Sequence, residues 1–233
     1  MEYKYAPKEN YEDFACGRVI YHVGGEPTFP VRLTLELFER CLQYSNKKSD
    51  LTVYDCCCGG AYMLTILGLL KGSSIASLYG SDVDPQSLTL AKDNLGLLSK
   101  EGIEKRRREL VELYYAYGKA SHQEALQSID RIEALITKEI KTCIFHQNVF
   151  EINDIPFTPD IIITDVPYGN MAEWSEGSGG VNQMLNALSK VCERDTILCI
   201  CMDKKQKIHT EKFERLERQQ IGKRKFEIYK VIN

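Results

Sequence analysis

Val53-Tyr54-Asp55-Cys56-Cys57-Cys58-Gly59-Gly60-Ala61-Tyr62-Met63-Leu64 is the stretch that decides the fold. The run from Leu51 to Tyr54 reads as a short buried strand, and it stops at Asp55. A turn of small residues follows. The chain then enters the helical pattern Met63, Leu64, Leu67, Leu70. Strand, small-residue turn and helix form the opening unit of a nucleotide-type α/β site. Ligands of such sites lie beyond the carboxyl ends of the strands, and small loop residues let the backbone approach them.

The rest of the chain supplies further units of the same kind. Ser77-Leu78-Tyr79-Gly80-Ser81-Asp82 reads as a second strand, and Asp84-Pro85 caps and starts a helix carrying Leu88, Leu90, Ala91 and Leu95. Thr142 to His146 and the β-branched run Asp160-Ile161-Ile162-Ile163-Thr164 are strands, the second typical of the centre of a parallel sheet. Thr196 to Cys201 is another buried strand. Phe213 to Leu216 and Lys225 to Val231 alternate like a closing antiparallel pair. These elements predict an α/β, doubly wound, Rossmann-like sheet with an antiparallel C-terminal strand, folded as a single domain over residues 1–233.

Two segments stand outside that pattern. Residues 1–48 form an N-terminal extension in which Val19-Ile20-Tyr21-His22 reads as a short strand and Gly24-Gly25-Glu26-Pro27 as a turn. Pro30 suits the first turn of a helix bearing Leu33, Leu37, Phe38 and Leu42. Residues 99–141 are strongly charged and too long for a plain crossover, so they read as an inserted helical hairpin broken at Gly118.

Composition narrows the function classes. With 30 Lys and Arg against 33 Asp and Glu, a nucleic-acid partner must be met by a local basic face. From Asp203 onward basic residues outnumber acidic ones ten to five. The polar N-terminus is no signal peptide, and no apolar run reaches the ~20 residues of a membrane span. Nine cysteines, three of them consecutive, form no disulfide framework and point to a reducing cytoplasm. No C-x2-C pair or nearby histidine partners Cys56, Cys57 and Cys58, so no metal is expected. A monomer is expected.

Polar residues end four strands: Asp55, Asp82, Asn148 and Asp165. In a parallel sheet these converge on one edge. A dinucleotide site would need G-x-G-x-x-G around a pyrophosphate, whereas this loop has cysteines and Ala61, and Asp55 would repel phosphate. A ligand with an amino-acid end, a cationic centre and a nucleoside suits the acids better, which describes S-adenosylmethionine. Asp82 would accept from the ribose hydroxyls and Asn148 from the adenine amine. Asp165-Val166-Pro167-Tyr168-Gly169 then supplies an acceptor site. A carboxylate and the Pro167 carbonyl would orient a planar amine, with Tyr168 stacking on the target base.

The chain resembles the AviRa-like ribosomal RNA methyltransferases. The likeness runs through Ala15-Cys16-Gly17-Arg18-Val19, Phe29-Pro30-Val31-Arg32-Leu33, the Asp55 to Tyr62 loop and Leu64 to Leu70. It continues through Ser81-Asp82-Val83-Asp84-Pro85, the helical insertion, Thr164 to Gly169 and Ile221-Gly222. Within that pattern Cys56 replaces a proline, Gly60 a serine, Ala61 a glycine, and Asn148 an aspartate. The resemblance implies a class I S-adenosylmethionine-dependent enzyme acting on a guanosine of large-subunit (23S) rRNA, and resistance to orthosomycins such as avilamycin. It implies catalytic roles for Asp165, Pro167, Tyr168 and Gly169. Donor contacts are expected from Asp55, Cys57, Cys58, Gly59, Gly60, Tyr62, Asp82, Val83, Asn148 and Val149. Arg32 and Arg106, Arg107 and Arg108 are candidates for RNA phosphate contact. Related loops also methylate DNA adenine or protein glutamine, and a cofactor-binding module without catalysis is the non-enzymatic alternative.

Overall fold

Ile161, Ile162 and Ile163 are fully buried, as a strand must be when helices cover both faces of its sheet. They begin β4 (Ile161–Asp165), which pairs in parallel with β1 (Leu51–Asp55) on one side and β5 (Ile197–Asp203) on the other. The computed structural model describes residues 1–23, 28–166 and 180–232. Adding β2 (Ile75–Asp82), β3 (Lys141–His146), β6 (Phe213–Ile221) and β7 (Arg224–Val231) gives one seven-stranded sheet, ordered β3-β2-β1-β4-β5-β7-β6. The first five strands run parallel, β7 lies antiparallel against β5, and β6 pairs antiparallel with β7, as expected from the alternating tail. Strand order reverses between β1 and β4, so the crevice that binds ligands in such sheets opens between Asp55 and Asp165.

The helices are α1 (Val31–Tyr44), α2 (Tyr62–Lys71), α3 (Pro85–Gly96), α4 (Lys100–Tyr117), α5 (Ala120–Glu133) and α6 (Gly180–Leu188). Asp84 caps α3, its carboxylate accepting from the N–H groups of Gln86 and Ser87, and Pro85 occupies the first turn. Pro30 is itself the cap of α1, so that helix begins one residue later than its sequence suggests. Among the described residues no helix is long and apolar enough to cross a membrane.

α4 and α5 form the expected hairpin, with Gly118 in the left-handed region between them. The basic run on α4 serves this packing. Arg107 bonds Asp130 and Glu133 of α5 and Glu104 of its own helix. Arg106 is buried, donates from Nε to the Val19 carbonyl at 2.8 Å, and stacks 4.2 Å above the Tyr21 ring. Arg106 and Arg107 therefore spend their charge on partners within the protein. Arg108 is exposed.

Val19 to His22 is not a strand. Its backbone groups are taken by side chains: Asn94 bonds both the N–H and the carbonyl of Tyr21, and Arg106 takes the Val19 carbonyl. Val149–Glu151 forms a single helical turn capped by Asn148. At the N-terminus, buried Glu36 accepts from the N–H groups of Lys4, Tyr5 and Ala6, which fastens the extension to α1. Arg32 joins the same fastening through the Ala6 carbonyl and a 4.0 Å stack on Tyr3, an internal role in place of the expected RNA contact.

Candidate active site

The loop after β1 is built by short-range bonds. Asp55 Oδ1 accepts from the Cys57 N–H at 3.1 Å, and Ala61 N–H donates to the Cys58 carbonyl at 2.7 Å. Cys58 N–H reaches the Ser81 carbonyl at 3.0 Å, and Gly59 N–H reaches Asp82 Oδ2 at 2.9 Å, so the loop is stitched to the end of β2. Gly80 makes room for this: a Cβ there would sit 3.0 Å from Cys58 Sγ and 2.7 Å from Ile144 Cδ1. Ala61 holds φ at +55°, a left-handed conformation that costs a non-glycine residue about 1 kcal/mol. The Cys57 thiol is pushed well above the usual thiol range by its Cys56 neighbour and by burial, and Cys58 by burial and the nearby Asp55. They are neutral packing groups at neutral pH.

Asp55 is almost fully buried at the switch point. Burial raises its carboxyl to about 7, with the charges of Asp82 and Asp165 adding to the rise against the nearby Thr164 hydroxyl and the Cys57 N–H. A buried acid held at that value favours a cation beside it. Asp82 keeps its two oxygens on the N–H groups of Gly59 and Asp84, at 2.9 and 3.1 Å, and still lines the cavity.

That cavity, about 360 Å³, lies over the loop and the strand ends. The structure brings together Asp55, Cys57, Cys58, Gly59, Gly60, Tyr62, Asp82 and Asp165 on its wall. The Tyr62 hydroxyl points away and donates to the Phe14 carbonyl at 2.8 Å, leaving the ring to face the cavity. Val83, Asn148 and Val149 do not line it. Val83 is exposed and Val149 is core. Asn148 uses its side chain locally, accepting from the Phe150 N–H at 3.1 Å and donating to Glu151 Oε1 at 3.0 Å. Pro167, Tyr168 and Gly169 lie outside the described residues, as does the Gly24 to Pro27 turn.

Two parts of the wall were not anticipated. The extension contributes Cys16, Tyr21, His22, Thr28 and Phe29. Asn94 locks it in place, donating from Nδ2 to the Gly60 carbonyl at 2.8 Å and to the Tyr21 carbonyl at 3.1 Å. The other is Arg224 at the start of β7, whose Nη2 lies 4.0 Å from Asp165 Oδ2 and whose guanidinium faces the Phe29 ring at 5.3 Å. The segments around Cys16 and Phe29 carry family likeness without an evident role, and only the basic excess of the tail hints at Arg224.

A profile for the family described as rRNA methyltransferase AviRa matches residues 1–224. The chain belongs to the AviRa family. One relative is the 23S rRNA (guanine(2535)-N(1))-methyltransferase of Streptomyces viridochromogenes, 36% identical over 223 residues, covering 91% of this chain and 88% of the relative. The solved structure of the rRNA methyltransferase aviRa from the same organism superposes with a TM-score of 0.89 at 31% identity, covering 99% of this chain and 96% of that one. TrmN from Thermus thermophilus shares the fold alone, with a TM-score of 0.54 at 11% identity over 90% of this chain and 51% of its own length. As an AviRa family member the chain is an enzyme of the methyltransferase class, and its seven-stranded sheet is the one that family uses.

Proposed function

We propose that this chain transfers a methyl group from S-adenosylmethionine to a guanosine base of 23S rRNA. The observation that carries the reading is the convergence of Asp55, Asp82 and Asp165 on one cavity at the switch point. The residues fit the donor. The donor's ammonium end beside Asp55 would favour its ionised form over the neutral acid that burial favours, the open backbone at Gly59 allows close approach, and Asp82 has remaining lone pairs for ribose hydroxyls. When bound, the donor supplies an electrophilic methyl group on a sulfonium, so the protein's work is positioning and proton handling.

The RNA would be held beside the cavity by the basic rim at the ends of β5 and β7. Lys204, Lys205, Lys207 and Lys223 are exposed there, and the Lys204 N–H bonds the Lys223 carbonyl at 3.1 Å. These lysines replace the α4 arginines as phosphate anchors. The reading places the enzyme in the cytoplasm, with its ribosomes, and extends to orthosomycin resistance in cells that carry it.

The test is transfer of labelled methyl groups into a 23S rRNA transcript, with mass-spectrometric mapping of the modified base. Incorporation into a guanosine supports the reading. Label entering only DNA or protein, or no donor binding by calorimetry, overturns it.

A further inference from the structure

The geometry points to a proton-transfer pair that sets which guanine atom is methylated: Asp165 removes the N1 proton while Arg224 holds O6. The inference rests on the guanosine reading above and adds to it the residues that make the ring nitrogen reactive.

Asp165 ends β4 and Arg224 begins β7, and β5 lies between them, with Cys201 opposite Asp165 and Asp203 opposite Arg224. The carboxylate and guanidinium are 4.0 Å apart, each about a quarter exposed, and both line the cavity. Phe29 braces the guanidinium from one side. The Cys201 thiol bonds the carboxylate from another, and that thiol stays protonated because burial and the Asp165 charge push it up. The cavity wall thus presents an anionic acceptor beside a group that can only donate.

One edge of guanine presents the complementary pair: the N1–H donor beside the O6 acceptor. The exocyclic amine of guanine carries two hydrogens and no acceptor, so a guanidinium facing it finds nothing to bond. N1 is a poor nucleophile while it keeps its proton, because it is amide-like. Once the proton leaves, the negative charge is shared with O6, where a guanidinium stabilises it. The step balances as follows. The N1 proton passes to Asp165, and the N1 electron pair forms the bond to the methyl carbon. The carbon–sulfur bond of the donor breaks, and its electrons leave sulfur as a neutral thioether. Asp165 then returns its proton to water.

The experiment compares wild type, Arg224→Gln, Arg224→Lys and Asp165→Asn in single-turnover methylation of the 23S rRNA transcript. Donor binding is measured by calorimetry and folding by melting. Arg224→Gln is expected to lose about 100-fold or more in rate, as when one oxyanion donor is removed. Donor affinity should change less than threefold. Its rate should also keep rising with pH as N1 ionises unaided, and added guanidinium should restore part of it. Arg224→Lys keeps the charge without the fork and should lie between, which separates a charge effect from misfolding. A transcript with inosine at the target keeps N1–H and O6 and should still be methylated. Wild-type rate in Arg224→Gln, or a methyl group mapped to the 2-amino nitrogen, overturns the inference while leaving guanosine methylation intact. No methylation by wild type defeats the functional reading itself.

Discussion

The donor loop, residues 55–62, and the acceptor corner, made by Asp165, Arg224 and Phe29, face each other across one cavity and are built in opposite ways. The loop is folded by bonds within itself, Asp55 to Cys57 and Cys58 to Ala61, and fastened to the next β–α unit through Ser81, Asp82 and Asn94. The corner gathers residues from the extension, from β4 and from β7, spread over some two hundred positions of the chain. The first is therefore complete within two consecutive β–α units, and the second exists only in the assembled sheet. The strongly charged hairpin belongs with the second. Through Arg106 it steadies Tyr21, which forms part of the cavity wall.

The largest test of this contrast is Asp165→Asn. Removing the base should lower the methylation rate by about 10² to 10⁴ while donor affinity, measured by calorimetry, stays near wild type. A parallel loss of donor binding would show that corner and loop are not separate functions.

Asn94→Ala attacks the join between them. It leaves the Tyr21 N–H and the carbonyls of Tyr21 and Gly60 without this partner in a partly buried setting. A loss of about 2–4 kcal/mol in denaturant unfolding is expected, with weaker donor binding.

Asp55 gives the loop a pH signature. Its carboxyl is raised from 3.8 to about 7 in the folded protein, so its contribution to stability is full below the unfolded value and lost as pH rises through about 7. A cationic donor binds the ionised form. Donor affinity should tighten about tenfold per pH unit, roughly 1.4 kcal/mol, up to that pH and then level off. Below it, binding should release a proton to the buffer. Asp55→Asn should remove the pH dependence together with much of the affinity. A flat profile in the wild type would separate Asp55 from the donor's charge.

Ala61→Gly is the smallest change. Relief of the left-handed alanine should add about 1 kcal/mol, seen as a rise in melting temperature of roughly 2–4 °C. Unchanged stability would mean that the chain entropy of glycine cancels the strain.

Much of this was legible from residue order. The Leu51 to Leu70 unit, the Asp160 to Thr164 strand, the cap at Asp84-Pro85 and the hairpin around Gly118 appear where periodicity and turn chemistry place them. Each depends on interactions within a few residues. The errors share one cause. Val19 to His22 has strand-forming residues, yet its backbone is satisfied by Asn94 and Arg106 from distant helices. Arg106 and Arg107 look like a phosphate patch in sequence, but their partners lie on α5 and in the extension. Asn148 sits at a ligand-bearing strand end and turns to its own loop.

The sequence by itself determined the alternating α/β order, the acids at the strand ends and the small residues between β1 and α2, because hydrophobic period and turn preference act over short range. Only the tertiary structure decided which charges end on the wall of the cavity. A side chain's partner is set by whatever the fold brings within about 4 Å of it. For Arg224 that is Asp165 and the wall of the cavity, and for Arg106 it is the backbone of Val19.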